Sequence, residues 1–247
     1  MKNIAVVLAG GTGSRMGAPM PKQFLTLKGR AVIEYPIETF CNHPAIDEVA
    51  VVVHPDWRSE FETIAAHNKW PKLARIVDGG SERYMSTLNA VMAFIDESDD
   101  TNLLFHDAAR PLVSTAIVDR VVEALKWHKA VGVGIPCTDT VWEVHPDMSG
   151  DWNGTSAAFE VPRFVARIPE RRLMWLAQTP QAFRLPTIRD AYQRALQDPQ
   201  FHATDDCGVV RRYMPEVKVH VVEGSADNFK ITVEGDLQRA ERILENK

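Results

Sequence analysis

The sequence predicts an α/β protein in which a mainly parallel β-sheet is flanked by helices. Short runs rich in apolar residues alternate with stretches of helical periodicity from Ile4 almost to the end of the chain. Most of the predicted strands are continuous apolar runs, as expected for strands that are buried on both faces. A glycine-rich segment directly follows the first strand, at the edge of the sheet where such folds bind their ligands.

The elements follow in order along the chain. Strands are predicted at residues 4–8, 48–54, 74–77, 102–106, 131–136 and 217–222. Helices are predicted at residues 32–42, 58–67, 83–95 and 114–128, the last beginning at Ser114 as N-cap. Residues 173–178 are predicted to return to the sheet and residues 185–197 to form a helix. Residues 204–206 are predicted to cap a further helix that ends at Tyr213, and residues 235–246 to form the closing helix.

The alternation is interrupted between residues 138 and 170. Strand-like pieces, V-W-E-V and A-R-I, lie on either side of a loop at residues 146–156. We therefore predict one domain, residues 1–247, with a protruding hairpin-like β-arm at about residues 138–170. The arm's large apolar side chains must be covered, either by their own domain or by a partner subunit: Trp142, Trp152, Phe159 and Phe164.

Composition excludes several classes of function. The chain has 247 residues, and its 45% hydrophobic and 25% charged residues are ordinary globular values. A net charge of −5 argues against non-specific nucleic-acid binding. The cysteines at 41, 137 and 207 are too widely spaced to suggest a disulfide framework or a zinc site. Because the opening residues run straight into a strand and no apolar run has spanning length, we expect a cytoplasmic protein without a membrane partner.

The segment at residues 8–25, L-A-G-G-T-G-S-R-M-G-A-P-M-P-K-Q-F-L, has the composition of a phosphate-binding loop. Its glycines let the backbone approach an anion closely, while Arg15 and Lys22 supply positive charge. A dinucleotide-binding fingerprint does not fit, because Met16 stands where the third glycine is required. A Walker loop does not fit either, because Lys22 follows Pro21 and precedes Gln23.

Three later loops also follow predicted strands. The first, D-G-G-S-E-R-Y-M-S, begins at Asp78 and offers two glycines and two serine hydroxyls to a ring or a ribose. The second, H-D-A-A-R-P, places Asp107 where it could bind magnesium and Arg110 where it could bind phosphate or pair with Asp107. The third, D-N-F-K-I-T, places Asp227 and Lys230 after the last main strand. Together these loops favour phosphoryl or nucleotidyl transfer without a covalent intermediate.

These motifs, in order, resemble those of the cytidylyltransferases that act on polyol phosphates. The resemblance rests on L-A-G-G-T-G-S-R-M-G, P-K-Q-F-L, G-G-S-E-R, H-D-A-A-R-P, A-Q-T-P-Q-A-F and A-D-N-F-K-I-T, and it spans almost the whole chain. It implies a Rossmann-like, glycosyltransferase-A-type fold, CTP as substrate and Mg²⁺ as cofactor. It also implies a homodimer in which each arm reaches the active site of the partner.

Roles at individual positions are implied by the same resemblance. The triphosphate and the charge of the transition state would be handled by Arg15, Lys22 and Lys230. The remaining contacts to CTP would come from Ala9, Gly10, Gly11, Gly13, Gly80, Ser81, Ser86 and Ala108. The acceptor would be bound by Arg110, Thr140, Arg171 and Thr179, and the metal by Asp107 and Asp227.

The acceptor is predicted from smaller differences within the family. A-G-G at residues 9–11, I-P-E-R at 168–171, T-D-D-C at 204–207 and V-H-P-D-W at 53–57 resemble the ribitol-5-phosphate branch. H-D-A-A-R-P and A-D-N resemble the 2-C-methyl-D-erythritol 4-phosphate branch. We expect D-ribitol 5-phosphate, with CDP-ribitol as product, and keep 2-C-methyl-D-erythritol 4-phosphate as the alternative.

Other classes of function remain open at this point. A non-catalytic nucleotide-binding module would need the glycine loops but not Arg171, Thr179 and Lys230 as well. A nicotinamide-dependent reductase is disfavoured by the missing fingerprint glycine. A nucleotidyltransferase that uses another base and a sugar 1-phosphate would be distinguished by comparing CTP with UTP and ATP.

Overall fold

The computed structural model of the chain describes residues 1–11, 20–146 and 163–246. Its strands are Asn3–Ala9 (β1), Thr26–Leu27 (β2), Arg30–Ala31 (β3), Glu48–Val53 (β4), Leu73–Asp78 (β5), Asn102–Asp107 (β6), Ala130–Pro136 (β7), Glu143–Pro146 (β8), Arg163–Arg167 (β9), Trp175–Arg184 (β10) and His220–Glu223 (β11). Its helices are Glu34–Asn42 (α1), Arg58–Asn68 (α2), Arg83–Ala93 (α3), Thr115–Leu125 (α4), Leu185–Ala195 (α5), Asp206–Tyr213 (α6) and Glu234–Glu245 (α7).

The main sheet of the described residues has the strand order β11-β7-β10-β6-β1-β4-β5. Strand β1 runs parallel to β4 and β6, β4 runs parallel to β5, and β11 runs parallel to β7. Strand β10 is antiparallel to β6. The prediction of a mainly parallel α/β sheet flanked by helices is therefore confirmed.

The core consists of two layers because alternate residues of the central strands face opposite sides of the sheet. On one side, Ala5 and Val7 of β1 pack with buried residues of α1, α2 and α4. On the other side, Ile4 and Val6 pack with buried residues of α3, α5 and α6. Every residue of β1 is buried, which explains why this strand reads as a continuous apolar run.

The parallel register brings the carboxyl ends of several strands together. Leu8 of β1 is paired with Asp107 of β6, and Ala9 with Val53 of β4, which is itself paired with Asp78 of β5. Strand β10 runs antiparallel to β6. Thr179, in the first half of β10, therefore lies at the same edge, where its hydroxyl accepts a hydrogen bond from the N–H of Asp107. The loops that were expected to carry chemistry after β1, β5 and β6 therefore share one edge of the sheet.

The chain divides into two compact units, Met1–Gly134 with Gln178–Lys247, and Ile135–Ala177. In the second unit β8 pairs antiparallel with β9, and the predicted strand-like pieces overlap these strands only at residues 143–144 and 166–167. Several of its large apolar side chains are exposed: Trp142, Val144, Phe164, Val165, Ile168, Leu173, Trp175 and Leu176. The prediction that Trp152 and Phe159 are covered falls on residues outside the described ranges. A single domain with an arm at residues 138–170 stays a prediction.

Candidate active site

The first wall of the site is the loop that follows β1. Gln23 lies in a short 3-10 helix, Lys22–Phe24, and its side-chain amide donates hydrogen bonds to the carbonyl oxygens of Ala9 (2.8 Å) and Gly11 (2.9 Å). Because Gln23 is buried, water competes little for these bonds. The amide of Gln23 thus ties the glycine loop to the segment that carries Lys22.

The second wall is the Gly79–Gly80 loop before α3, and it touches the first loop. A Cβ atom on Gly10 would lie 2.4 Å from Oγ of Ser86 and 3.5 Å from Cα of Gly79. A Cβ atom on Gly80 would lie 2.2 Å from Cβ of Met85. The backbone N–H of Gly80 donates a hydrogen bond to Ser86 Oγ (3.2 Å). Glycine is required at both positions because the two loops leave no room for a side chain.

Asp107, the last residue of β6, meets three cationic side chains. Lys230 Nζ donates to Asp107 Oδ2 at 2.8 Å, and Arg110 Nε lies 3.6 Å from the same oxygen. Arg83 Nε lies 3.5 Å from the other oxygen, Oδ1. These cations come from α3, from the loop after β6 and from the loop after β11, so the fold assembles them from distant parts of the sequence.

The cations keep Asp107 ionised. Burial alone would raise the pKa of this carboxyl group. The charges of Lys230, Arg83 and Arg110, together with the hydrogen bond from Lys230, outweigh burial and hold the pKa of Asp107 well below its usual range. Asp107 therefore presents a negative charge at any physiological pH.

A fully buried histidine, His106, contacts the loop that carries Asp107. The backbone N–H of Asp107 donates to Thr179 Oγ1 (3.1 Å), and the same hydroxyl lies 3.0 Å from His106 Nδ1. His106 Nε2 lies 3.0 Å from the carbonyl oxygen of Arg110. Burial lowers the pKa of His106 to about 4, so its ring is neutral at pH 7. These contacts fit one tautomer, in which Nδ1 accepts from Thr179 and Nε2–H donates to Arg110.

The segment that carries Lys230 is fixed by its neighbours. The carbonyl oxygen of Asn228 accepts a hydrogen bond from Arg110 Nη1 (2.8 Å). The backbone N–H of Ile231 donates to the carbonyl oxygen of Ala109 (2.8 Å). Both bonds link this segment to the loop after β6, so they set where the ammonium group of Lys230 can reach.

These walls enclose an open cavity of about 620 Å³. Its cationic lining residues are Lys22, Arg83 and Lys230, and its anionic ones are Glu82 and Asp107. The other lining residues are Leu8, Ala9, Gly10, Gly11, Gln23, Ser81, Ser86, Ala109, Thr204, Thr232 and Val233. A cavity of this size with glycine loops and a cationic excess suits a phosphate-bearing ligand such as a nucleotide.

The structure brings most of the predicted site residues to this cavity. Among the predicted residues, its lining includes Ala9, Gly10, Gly11, Lys22, Ser81, Ser86, Asp107 and Lys230. Gly80, Ala108, Arg110 and Thr179 lie directly behind that lining, in contact with it. The predictions for Gly13 and Arg15 fall outside the described residues.

Three further predicted residues are not among those that line the cavity. Asp227 does not line the cavity, and its backbone N–H donates to Ser225 Oγ (3.1 Å). Thr140 and Arg171 belong to the Ile135–Ala177 unit, where Arg171 Nη1 donates to the carbonyl oxygen of Thr138 (3.2 Å). Their roles in binding the metal or the acceptor stay predictions.

Sequence reasoning assigned no role to three residues that the structure places in or beside the cavity. Gln23 lies within P-K-Q-F-L, but nothing in that string indicates that its side-chain amide donates hydrogen bonds to two loop carbonyl oxygens. Arg83 opens a helix, where an arginine normally indicates only a solvated position. Asp206 was interpreted as part of a helix cap, whereas Asp205 is the cap and Asp206 is fully buried. A buried carboxylate needs a partner, and that is the signal that could have led to Arg83.

The cavity offers part of the ligand set that Mg²⁺ requires. This ion commonly takes one or two carboxylates and completes its shell with water and phosphate oxygens. Asp107 supplies one ionised carboxylate in the cavity wall, although Lys230 occupies its Oδ2. The described residues contain no group of three or more His, Cys, Asp or Glu side chains that could hold a metal by themselves. The site therefore fits a metal that is bound together with phosphate.

Comparison with known proteins agrees with this geometry. Residues 3–246 match the family described as 2-C-methyl-D-erythritol 4-phosphate cytidylyltransferase. A protein of that name from Thermobifida fusca is 45% identical over 240 residues, covering 97% of this chain and 92% of the relative. The bifunctional ribulose 5-phosphate reductase/CDP-ribitol pyrophosphorylase Bcs1 of Haemophilus influenzae is 37% identical over 246 residues, covering 100% of this chain and 49% of the relative.

A solved structure is also similar over nearly the whole chain. It is the 4-diphosphocytidyl-2C-methyl-D-erythritol synthase of Anaerococcus prevotii, with a TM-score of 0.81 and 28% identity. The match covers 99% of this chain and 98% of that one. Within the ranges that the structure describes, no helix has the length and apolar character needed to cross a bilayer.

Proposed function

The chain belongs to the 2-C-methyl-D-erythritol 4-phosphate cytidylyltransferase family, and from this premise we propose that it transfers CMP from CTP to 2-C-methyl-D-erythritol 4-phosphate, releasing pyrophosphate. Membership makes it a nucleotidyltransferase that acts on a polyol phosphate. The observation that carries the proposal is the cavity, where Lys22, Lys230 and Asp107 face two glycine loops. We also propose that the enzyme prefers CTP to UTP and ATP.

The acceptor has two candidates. The sequence differences favoured ribitol 5-phosphate, but that preference is unconfirmed. The family match and the 45% identical relative favour the alternative, 2-C-methyl-D-erythritol 4-phosphate. Ribitol 5-phosphate remains the second candidate because the Haemophilus influenzae relative is named for CDP-ribitol synthesis. The two acceptors differ in their carbon skeletons, so direct competition between them is the natural test.

The proposed reaction is an in-line attack by the acceptor's phosphate oxygen on the α-phosphorus of CTP. The protein's task in such a step is to align two anions and to neutralise the charge that develops on them. Lys22 and Lys230 supply positive charge inside the cavity. We propose that they contact the triphosphate, together with Arg15 and the backbone at residues 9–13. The glycines on the two loops allow that close approach.

Lys230 would change partners in this scheme. In the structure its ammonium group is bound to Asp107 Oδ2 at 2.8 Å. A triphosphate carries more negative charge than one carboxylate, so the ammonium group would be drawn to it. The flexible lysine stem permits this movement while the backbone at Ile231 stays bonded to Ala109.

We propose Mg²⁺ as the cofactor, held by Asp107 and by phosphate oxygens. Bound there, the ion would neutralise charge on the α-phosphate and on the leaving pyrophosphate. Asp107 fits this role because it is ionised, and the departure of Lys230 would leave its Oδ2 facing only the more distant Nε of Arg110, at 3.6 Å. Asp227 remains a candidate second ligand.

We also propose a homodimer in which the Ile135–Ala177 unit forms the contact. Large apolar side chains are exposed on its β-hairpin, including Val144 of β8 together with Phe164 and Val165 of β9. Exposed apolar clusters of this kind mark protein contacts. A two-fold dimer would cover the same cluster on both copies. Thr140 and Arg171 would then bind the acceptor, with contributions crossing between subunits.

The function is tested by pyrophosphate release with CTP, Mg²⁺ and each acceptor in turn. We expect turnover with 2-C-methyl-D-erythritol 4-phosphate and a much lower kcat/KM with ribitol 5-phosphate. Lys22→Ala should lower kcat/KM by about 10²–10³, the usual effect of removing one electrostatic contact to a transition state. Lys218→Ala is the matched control, because Lys218 is exposed and does not line the cavity.

Each alternative predicts a different result. Higher kcat/KM with ribitol 5-phosphate would reverse the choice of acceptor. CTP binding without pyrophosphate release from either acceptor would indicate a nucleotide-binding module. Faster turnover with UTP or ATP than with CTP would overturn the choice of base.

A further inference from the structure

Arg83 lies between two carboxylates, and the proposed reaction uses only one of them. Its Nε is 3.5 Å from Asp107 Oδ1 in the cavity wall. Its Nη1 is 2.8 Å from Oδ2 of Asp206, which is fully buried. One planar guanidinium group therefore bridges the cavity and the interior behind it.

Asp206 is held rigidly in that interior. Tyr192 of α5 donates its hydroxyl hydrogen to Asp206 Oδ1 (2.7 Å). Gln181 of β10 accepts from the backbone N–H of Asp206 (3.0 Å) through its side-chain oxygen. The same oxygen accepts from the N–H of Cys207 (3.0 Å), so the first turn of α6 is attached to the sheet. The anchor of Arg83 is thus fixed by β10, α5 and α6.

Fold stability alone does not account for this arrangement. A buried ion pair usually contributes little net stability, because removing two charges from water costs about as much as their attraction returns. Tyr192 and Asp206 would also hold α5 to α6 without any arginine. What the arginine adds is a second contact that points at Asp107 in the cavity.

Arg83 also differs from the other cation that touches Asp107 from the cavity. Lys230 ends in a flexible, partly exposed ammonium group that is needed elsewhere once a phosphate arrives. The guanidinium group of Arg83 is planar, and its two ends lie against Asp206 and Asp107. After Lys230 leaves, Arg83 still holds Oδ1 of Asp107.

We infer that Arg83 is a positioning residue that fixes the Asp107 carboxylate during nucleotidyl transfer, and that Asp206 is its anchor. The inference rests on the proposed function, because it assigns Asp107 a part in that reaction. It adds a chain of contacts from Tyr192 and Asp206 through Arg83 to the reacting groups. Removing such a supporting contact typically costs about 10–100-fold in activity.

The test removes the side chain of Arg83 and then adds free guanidinium ion to replace its charged group. Arg83→Ala should lower kcat about 10–100-fold while the KM for CTP changes little. Guanidinium at millimolar concentration should recover part of the lost rate by occupying the space between the two carboxylates. In Arg83→Ala/Asp206→Asn the anchor is missing, so guanidinium should recover nothing. Arg189→Ala, which removes an arginine from the middle of α5 that does not line the cavity, is the matched control and should be unaffected.

A second readout does not depend on catalysis. Guanidinium bound at the vacated position should raise the melting temperature of Arg83→Ala above the value measured in sodium chloride at the same concentration. The melting temperature of Arg83→Ala/Asp206→Asn should show no such rise. Equal shifts in both variants, or no shift in either, would overturn the inference. If wild-type protein releases no pyrophosphate with either acceptor, the proposed function fails while this melting comparison still tests the anchor.

If Arg83→Ala does not fold, Asp206→Asn supplies the measurement. Asparagine can still accept from the Tyr192 hydroxyl, so this variant removes the charge of the anchor and leaves that hydrogen bond. We expect a lower kcat with an unchanged KM for CTP. A wild-type kcat in Asp206→Asn would overturn the role of the anchor.

Discussion

Gly10 is a residue at which an added side chain has no room. Its Cα lies where the two glycine loops meet, and an added Cβ would be 2.4 Å from Ser86 Oγ. At Gly11, one residue further, no atom of the described part of the chain lies within 4 Å of the added Cβ. Adjacent glycines thus have different reasons for being glycine, and only the structure distinguishes them.

We expect Gly10→Ala to destabilise the protein by about 1–3 kcal/mol through overpacking, and to raise the KM for CTP. Gly11→Ala should leave the free energy of unfolding nearly unchanged. Gly10→Ala/Ser86→Ala should recover much of the loss, since the next atoms, Ser86 Cβ and Gly79 Cα, lie at an ordinary 3.5 Å. Urea unfolding of the variants decides the matter; equal costs at both glycines would contradict the packing argument.

Residue types and their order were sufficient to predict much of the site. A glycine loop with a lysine, and an aspartate at the end of a strand, are patterns with a direct chemical meaning. The predictions for Lys22, Asp107 and Lys230 placed them in one site, and the structure gathers all three around one cavity. Arg83 and Asp206 could not be paired from the sequence, because their contact joins α3 to α6 and depends on how both helices pack on the sheet.

At the scale of elements, the strands were easier to locate than their ends. The last main strand was predicted at residues 217–222, but the structure has β11 at His220–Glu223. Val217 instead packs in the core, so burial and not pairing explains its apolar character. The predicted strand at 173–178 is the beginning of β10, which continues to Arg184. Apolar runs indicate where a strand lies, but hydrogen-bond partners decide where it begins.

Two helix caps allow a matched comparison between the site and the rest of the fold. Asp205 caps α6, with Oδ1 accepting from the N–H of Gly208 (2.8 Å), and Oδ2 also accepts from Gln181 (2.7 Å). Ser114 caps α4 by accepting from the N–H of Ile117 (3.4 Å). Only Asp205 adjoins a residue that lines the cavity, namely Thr204.

Replacing either cap by alanine should lower the free energy of unfolding by about 1 kcal/mol, the usual contribution of an N-cap. Asp205→Ala should cost more than Ser114→Ala because it also breaks the bond from Gln181. We expect Asp205→Ala alone to impair catalysis, since Thr204 and Asp206 lose their fixed positions. Denaturant titration and steady-state kinetics measure both effects. A similar loss of activity in Ser114→Ala would show that catalysis follows overall stability instead.

At the scale of the whole molecule, the buried His106 makes stability depend on pH. Its pKa is lowered from 6.5 to about 4 by burial, whereas the unfolded chain keeps the ordinary value. Between these values the unfolded state binds a proton that the folded state does not, so stability falls as the pH falls. The contribution is complete above pH 6.5 and is lost progressively toward pH 4.

From these values we expect about 2 kcal/mol of stability to be lost through His106 between pH 7 and pH 5. His106→Gln, which cannot titrate there, should show a correspondingly smaller difference in the free energy of unfolding between these two pH values. Urea titrations at both pH values give the comparison. An identical pH dependence in the variant would show that the pKa of His106 is the same in the folded and unfolded states, and would contradict the effect of burial.

The assembly state is the other property of the whole molecule that follows from the structure. Phe164 is 61% exposed on β9 and lies opposite His145 of β8. We expect Phe164→Glu to shift the protein from dimer toward monomer in analytical ultracentrifugation, because a charge would be buried at the contact. Trp127→Glu is the control, since Trp127 is 80% exposed but lies in the other unit. Monomeric wild-type protein would contradict the dimer directly.

The three cationic residues that contact Asp107 are synthesised at different times during translation. Lys230 is 123 residues further along the chain than Asp107. At a synthesis rate of about 5–20 residues per second, a ribosome takes several seconds to pass from one to the other. During that interval Asp107 has its neighbour Arg110 and the earlier Arg83, but Lys230 does not yet exist. Under the proposed mechanism, which uses Lys230, a nascent chain would not turn over nucleotide until the segment after β11 has been made, so the onset of catalysis would report that synthesis has reached this point.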